Sequence, residues 1–211
     1  MLSELARTKK RGHLVDAAAG KAYVGVLAAK LVGYEKVTVI ERDADRVQAS
    51  REAARRLGVE AKVSVVQGDV GDRSCWPRKA DLVAALHACG PASDAIIDAA
   101  VAGDAKWLLL VPCCYGAQVP FAKRAEEHAE AAGVAHHPEV RRRLVTALVD
   151  AERTLRLESA GWQVTVSPIV PPTVTPHNLL WRARRTGEAN RMAEAAEALR
   201  RLRNTPSANL L

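Results

Sequence analysis

No apolar run in the sequence approaches the ~18–20 residues that a membrane-spanning helix needs, so a helical membrane protein is not expected. The first residues, Met1-Leu2-Ser3-Glu4-Leu5-Ala6-Arg7-Thr8-Lys9-Lys10, lack the charged-then-apolar order of a secretory signal. A cytoplasmic location is the expectation. Cysteine is scarce. Four occur, Cys75, Cys89, Cys113 and Cys114, and two of them are adjacent. A disulfide framework is unusual at that usage in a chain of this size, and thiols in a reducing compartment are the simpler reading. Internal repeats and low-complexity segments are also absent, which sets aside a repeat array.

What is present is apolar bulk and uneven charge. Hydrophobic residues make up 48% of 211 residues, enough for a full core. One domain over residues 1–204 is expected, with 205–211 a disordered tail. Formal net charge is +7. Residues 1–15 carry four basic and one acidic side chain, 141–156 five and two, and 181–203 seven and three. Clustered positive charge suits a polyanion, so RNA is the partner expected to meet basic segments 7–11, 141–156 and 182–203. A solvated helix face explains the same pattern.

Apolar runs and helical spacings alternate along the chain. Strands are expected at residues 12–16, Val37–Ile40, Lys62–Gln67, Asp81–Leu86, Lys106–Val111, Gln163–Val166 and His177–Arg184. Helices are expected over Lys21–Leu31, 43–57, from Pro91, over Val119–Ala132, 139–159 and 187–203, and residues 71–79 read as loop. This order implies a Rossmann-like three-layer α/β sandwich. Its seven-stranded sheet is mostly parallel, with an antiparallel last strand. Ligands of such sheets sit at the carboxyl ends of the strands, where strand order reverses. That rule gathers Asp16 to Gly20, Glu41, Asp69, His87 to Gly90 and Pro112 to Gly116 onto one rim.

The turn His13-Leu14-Val15-Asp16-Ala17-Ala18-Ala19-Gly20-Lys21-Ala22-Tyr23 organises that rim. It reads as strand, small-residue turn and helix N-terminus, where bare backbone and unpaired N–H groups face a ligand. A dinucleotide turn calls for Gly-x-Gly-x-x-Gly, and here only Gly20 is present, with Ala18 and Ala22 where glycines are expected. Asp16 would repel a pyrophosphate but suits a ligand with an amino group, such as the methionine end of S-adenosylmethionine. Glu41, 25 residues on, can accept ribose hydroxyls. Asp69, followed by Val70, can accept from an adenine amino group.

The order Val-Asp-Ala-Ala-Ala-Gly-Lys-Ala, then Ile-Glu, then Gly-Asp resembles class I S-adenosylmethionine-dependent methyltransferases over nearly the whole chain. Leu86-His87-Ala88-Cys89-Gly90 and Pro112-Cys113-Cys114-Tyr115-Gly116 resemble one branch, with His-x-Cys-Gly and Cys-Cys-Tyr motifs. That branch includes the methyltransferase domain of glutathione S-transferase C-terminal-domain-containing proteins and is similar to tRNA 2′-O-methylating enzymes. The resemblance implies S-adenosyl-L-methionine as cofactor, held by Asp16, Ala18, Gly20, Glu41, Asp69, Val70 and His87. It implies His87, Cys113, Cys114 and Tyr115 around the reacting methyl, beside Cys89. Ala18 and Ala22 depart from the branch's glycines, where an added methyl narrows the groove.

Methyl transfer from a sulfonium is an in-line displacement, for which protein groups align the nucleophile and take its proton. His87 is the candidate base, and Tyr115 the candidate for stacking on a base or bonding a substrate atom. A zinc site from His87, Cys89, Cys113 and Cys114 is disfavoured because structural zinc ligands are spaced rather than adjacent, so no metal is expected. Pro112-Cys113 is also similar to the Pro-Cys of RNA cytosine-C5 methyltransferases. Thr175-Pro176-His177-Asn178 reads either as a substrate-entrance segment or as an ordinary proline-rich turn. RNA, either tRNA or rRNA, is the expected acceptor, with protein and small-molecule methylation as alternatives. A non-catalytic cofactor- or RNA-binding module is the alternative of another class. Substrate recognition falls to rim loops, the helices of residues 117–160 or a partner protein.

Overall fold

The computed structural model describes residues 1–7, 12–175 and 177–204. The expected tail at 205–211 and most of the basic segment at 7–11 lie outside the described residues. The described chain forms two compact units. One comprises 1–113 with 165–184, the other 114–164 with the chain from 185 onward.

The first unit is built on the sheet. Its strands are β1 (His13–Ala17), β2 (Lys36–Glu41), β3 (Val63–Gln67), β4 (Leu82–Ala88), β5 (Trp107–Pro112), β6 (Trp162–Pro168) and β7 (Leu179–Arg185). Their spatial order is β3-β2-β1-β4-β5-β7-β6. The β1–β5 pairings are parallel, and β7 runs antiparallel to β5. The expected Rossmann-like class is therefore observed. Strand order reverses between β1 and β4, which opens a crevice at their carboxyl ends. Leu14, Val15, Val37, Val39, Leu82, Val83 and Leu108 to Val111 are all buried. Continuous apolar strands of this kind suit a parallel sheet covered on both faces.

Helices α1 (Leu2–Arg7), α2 (Tyr23–Leu27), α3 (Ala44–Arg56) and α4 (Ala92–Ala102) flank the sheet. Asp43 caps α3, its side chain accepting the Arg46 N–H at 2.9 Å. The helix expected over Lys21–Leu31 divides. After α2 the chain widens into a π-helical turn, Ala28–Val32, whose carbonyl at Ala28 accepts the Gly33 N–H at 3.0 Å. Gly33, with φ of 85°, ends it. The loop expected at 71–79 contains one 3₁₀ turn, Arg73–Cys75, because the Asp72 side chain accepts the Ser74 N–H.

The second unit holds α5 (Ala122–Ala131), α6 (Pro138–Ser159) and α7 (Ala189–Asn204). Helix α5 begins three residues later than expected, since Pro120 disfavours helical backbone at Val119. Val119, Phe121, Ala122, Ala125, Ala129, Val145 and Val149 form its core.

Candidate functional site

The site is built where the sequence places its smallest residues. After β1 the chain turns back on itself: the Ala19 N–H donates to the Ile40 carbonyl at 3.1 Å and the Ala22 N–H to the Ala19 carbonyl at 2.9 Å. Three residues of this turn have left-handed backbone: Ala18 (φ 52°), Gly20 (φ 59°) and Ala22 (φ 54°). That conformation is easy for glycine and costs an L-residue about 1–2 kcal/mol. The alanines therefore stand in a glycine-shaped backbone, and the shape is kept. A Cβ built on Gly20 meets nothing within 4 Å, so open space lies over the turn.

Two buried carboxylates hold this turn. Glu41, 5% exposed, accepts the Gly20 N–H through Oε2 at 2.7 Å and the Asp43 N–H through Oε1 at 3.0 Å. Asp16, 1% exposed, accepts the Gly25 N–H at 2.7 Å. Ala22 precedes α2 and has no side chain to cap it, so Asp16 supplies the acceptor from the neighbouring strand. One N–H of the helix start, that of Gly25, is therefore taken by a protein carboxyl. Burial pushes the Asp16 carboxyl up to about 7, opposed by the Gly25 N–H and reinforced by the nearby Glu41. Gly25 permits the close approach. A Cβ there would lie 3.0 Å from Asp16 Cβ, Asp16 Oδ2 and Val37 Cγ1. In the sequence, Gly25 is legible only as a glycine inside a helical pattern, which marks tight packing.

Beyond β3, Asp69 is exposed and its Oδ1 accepts the Gly71 N–H at 2.8 Å. Val70 is buried, and its carbonyl accepts the Trp76 indole N–H at 2.9 Å. The Arg73 guanidinium lies over the Trp76 ring and donates to the Ala99 carbonyl, fastening the loop to α4.

His87 sits in a β-bulge. Leu86 pairs with Val111 and Ala88 with Pro112, leaving His87 as the extra residue, exposed and with φ of 62°. A bulge of this kind re-aims a side chain, and no sequence signal announced it. Cys89 follows, exposed, with Sγ 2.8 Å from Cys113 Sγ and 3.4 Å from the His87 carbonyl. None of the four cysteines is in a disulfide. A Cβ on Gly90 would also meet nothing within 4 Å. The first unit therefore brings Asp16, Ala18, Gly20, Glu41, Asp69, Val70, His87, Cys89 and Cys113 to the carboxyl ends of its strands.

Cys114 and Tyr115 belong to the second unit. Cys114 is exposed. Half-buried Tyr115 packs against that unit's core, with the Arg153 guanidinium 5.3 Å from its ring centroid. Burial pushes the Asp150 carboxyl up to about 6, against the hydrogen bond from Tyr115 and the Arg153 charge. The phenol is thus engaged inside its own unit. Asn178, read either as part of a substrate entrance or as part of an ordinary proline-rich turn, donates its amide to the Val170 carbonyl at 2.7 Å, because a buried amide needs a partner. The His177 N–H donates to Thr175 Oγ1.

The basic segments are largely paired. Arg141 meets Glu126 at 2.6 Å, Arg142 meets Glu139, Arg182 meets Glu4, Arg191 meets Glu158, Arg200 meets Glu197 and Arg203 meets Glu152. Arg153 is fully buried. The solvated-face reading accounts for most of these arginines. The pairs exposed on both sides, Arg141 with Glu126, Arg142 with Glu139 and Arg200 with Glu197, are weak enough to exchange for phosphate.

Comparison with known proteins adds to the geometry. A methyltransferase-domain family profile matches residues 1–119. The glutathione S-transferase C-terminal domain-containing protein of Homo sapiens is 26% identical over 195 residues, 82% of this chain. The Mus musculus protein is 26% identical over 197 residues. The chain spans about a third of the length of these relatives, 30% in both cases. Among solved structures, the Bacillus subtilis tRNA (m1A22) methyltransferase matches with a TM-score of 0.55 at 13% identity, over 88% of this chain and 65% of that one. A candidate rRNA methylase of Clostridium thermocellum matches with a TM-score of 0.59 at 12% identity, over 87% and 92%. A candidate tRNA (m1A22) methyltransferase of Streptococcus pneumoniae, solved with S-adenosyl-L-methionine, matches with a TM-score of 0.55 at 12% identity, over 86% and 69%. Likeness at these identities is likeness of fold.

Proposed function

We propose that this chain, which belongs to the methyltransferase-domain family, uses S-adenosyl-L-methionine to methylate RNA, either a tRNA or an rRNA. The observation that carries the reading is the turn after β1. Its backbone is left-handed at Ala18, Gly20 and Ala22, is locked by Glu41, and has open space above Gly20 at the strand-order reversal. The residues fit this cofactor. Glu41 Oε1 and Oε2 each retain acceptor capacity beyond one backbone N–H, as a ribose diol needs. Asp69 Oδ2 and the backbone at Val70 are at the place for an adenine, and Gly20 and Gly90 leave room for the bound molecule. When bound, the cofactor supplies a methyl group on a sulfonium. Asp16 caps α2 and so positions the turn. His87, exposed on its bulge, takes the proton of the incoming nucleophile or orients it. Cys113 shapes the acceptor side.

The RNA part of the reading draws support from the tRNA methyltransferase among the structural neighbours and from the net positive charge. The alternative of a non-catalytic module drew on Ala18 and Ala22. Their left-handed backbone gives the turn the shape glycines would give it, which weighs against that alternative, and the effect of the two methyls on the groove is read by titrating the glycine variants. Calorimetric titration with S-adenosylhomocysteine tests the cofactor site, and absence of binding at high micromolar concentration refutes it. Transfer of a labelled methyl to total tRNA or rRNA tests the acceptor. Binding with transfer only to protein or small molecules refutes the RNA assignment.

A further inference from the structure

Cys89 and Cys113 immediately follow Ala88 and Pro112, the last register pair of β4 and β5. The two chains leave the sheet side by side, within one compact unit. Adjacent strands lie ~4.8 Å apart, inside the ~4.4–6.8 Å Cα separation that a disulfide accepts. The sulfurs, 2.8 Å apart, need to close by under ~1 Å to reach the ~2.05 Å bond, which side-chain rotation supplies. Cys89 is exposed and Cys113 half-buried, so a small oxidant has access. Cys75 is set apart from this pair. It packs against Gly68, where an added Cβ would overlap its sulfur.

We propose that Cys89 and Cys113 are a reversible dithiol–disulfide pair, a modification site for oxidised glutathione and like small disulfides, and that closing it restrains the rim that carries His87. The Cys89 thiolate, as the more exposed, attacks one sulfur of oxidised glutathione. That S–S bond breaks, and one glutathione leaves as its thiol. The Cys113 thiolate then attacks the Cys89 sulfur of the mixed disulfide, and the second glutathione leaves. Two cysteine sulfurs lose two electrons, oxidised glutathione gains them, and the two thiol protons end on two glutathione molecules. The new bond ties the carboxyl end of β4, with its left-handed His87 bulge, to the end of β5. This restraint on ligand binding rests on the reading of the rim as the cofactor site, whereas the modification itself does not.

The full reduced chain is incubated with oxidised glutathione and followed by intact mass and peptide mapping. The expected product has lost two hydrogens, joins the Cys89 and Cys113 peptides, and is restored by dithiothreitol. Cys89→Ser and Cys113→Ser instead each hold a single glutathione on the remaining cysteine of the pair. Crosslinks at other cysteines, crosslinks between chains, or no crosslink at all overturn the proposal. Titration with S-adenosylhomocysteine then compares reduced and oxidised protein. Affinity is expected to fall about fivefold or more on oxidation, the lower range of typical coupling between sites. Equal affinity overturns the restraint. No binding by the reduced protein refutes the cofactor reading and leaves the mass result standing.

Discussion

Ala18→Gly tests whether the turn after β1 is strained. Ala18 has φ of 52°, a conformation that costs an L-residue about 1–2 kcal/mol, and glycine is free of that cost. Glycine brings its own penalty of about 0.5–1 kcal/mol, because its unfolded chain has more freedom to lose. The difference favours the variant by about 0.5–1 kcal/mol. Ala18 is half-buried, so removing its methyl leaves little cavity. Ala22 has the same backbone, at φ 54°, but is fully buried. Losing its methyl forfeits about 0.8 kcal/mol of burial, so Ala22→Gly is expected near neutral. Ala19 lies between them outside the left-handed region and is the control, with Ala19→Gly losing about 0.5–1 kcal/mol. Urea denaturation of the three variants without ligand measures the order. For a chain of this length, 1 kcal/mol moves the melting temperature by about 2–4 °C, which scanning calorimetry resolves. Ala18→Gly as destabilising as Ala19→Gly would refute the strain argument. The same variants titrated with S-adenosylhomocysteine separate strain from a narrowed groove: strain alone leaves the affinity of Ala18→Gly unchanged, and a narrowed groove raises it.

Gly25→Ala places a Cβ 3.0 Å from both Asp16 and Val37, and the helix-propensity gain of about 1 kcal/mol only partly offsets the overlap; denaturant midpoints are expected to show a net loss of about 1–2 kcal/mol. Asp16→Asn tests the buried acid. The folded carboxyl sits at about 7 against an ordinary 3.8, so the folded chain holds a proton that the unfolded chain releases, and stability falls as pH rises from ~4 through ~7. The variant lacks that slope and gains on the parent by up to ~4 kcal/mol over the span, about three pKa units; parallel midpoints at pH 5 and pH 8 would rule this out. Glu41→Gln keeps one acceptor oxygen and turns an amide N–H₂ toward a backbone donor, so a loss of about 1–3 kcal/mol is expected, together with weaker S-adenosylhomocysteine binding. An unchanged urea midpoint would mean that Glu41 does not hold the turn.

The parts of this site that were legible in the sequence are those that depend on chain order. β-branched and leucine runs separated by helical spacings fix an alternating α/β order, and the strand-end rule then assigns Asp16, Glu41, Asp69, His87 and Cys113 to one rim without any contact being known. What was not legible depends on which groups meet in space. The acid at the end of β1 reads as a ligand-facing charge in the sequence, because nothing there shows that α2 lacks a capping side chain and borrows one from β1. The His87 bulge comes from a register slip between β4 and β5, a relation between two distant segments that no single-segment pattern carries. Arginine-rich segments read as a polyanion surface because their acidic partners lie on other elements, as Glu126 does for Arg141 and Glu152 for Arg203. The alanines invert the reading most sharply. In the sequence they mark missing glycines and a weakened turn. In space, left-handed backbone at Ala18, Ala22 and His87 gathers on the rim where strand order reverses. Strain of about 1–3 kcal/mol per residue persists only where the surroundings over-determine it, and here Glu41, Asp16 and the β4–β5 pairing do so. The turn's shape is therefore imposed by its neighbours as much as by its own residues, and glycine at positions 18 and 22 is dispensable for that reason.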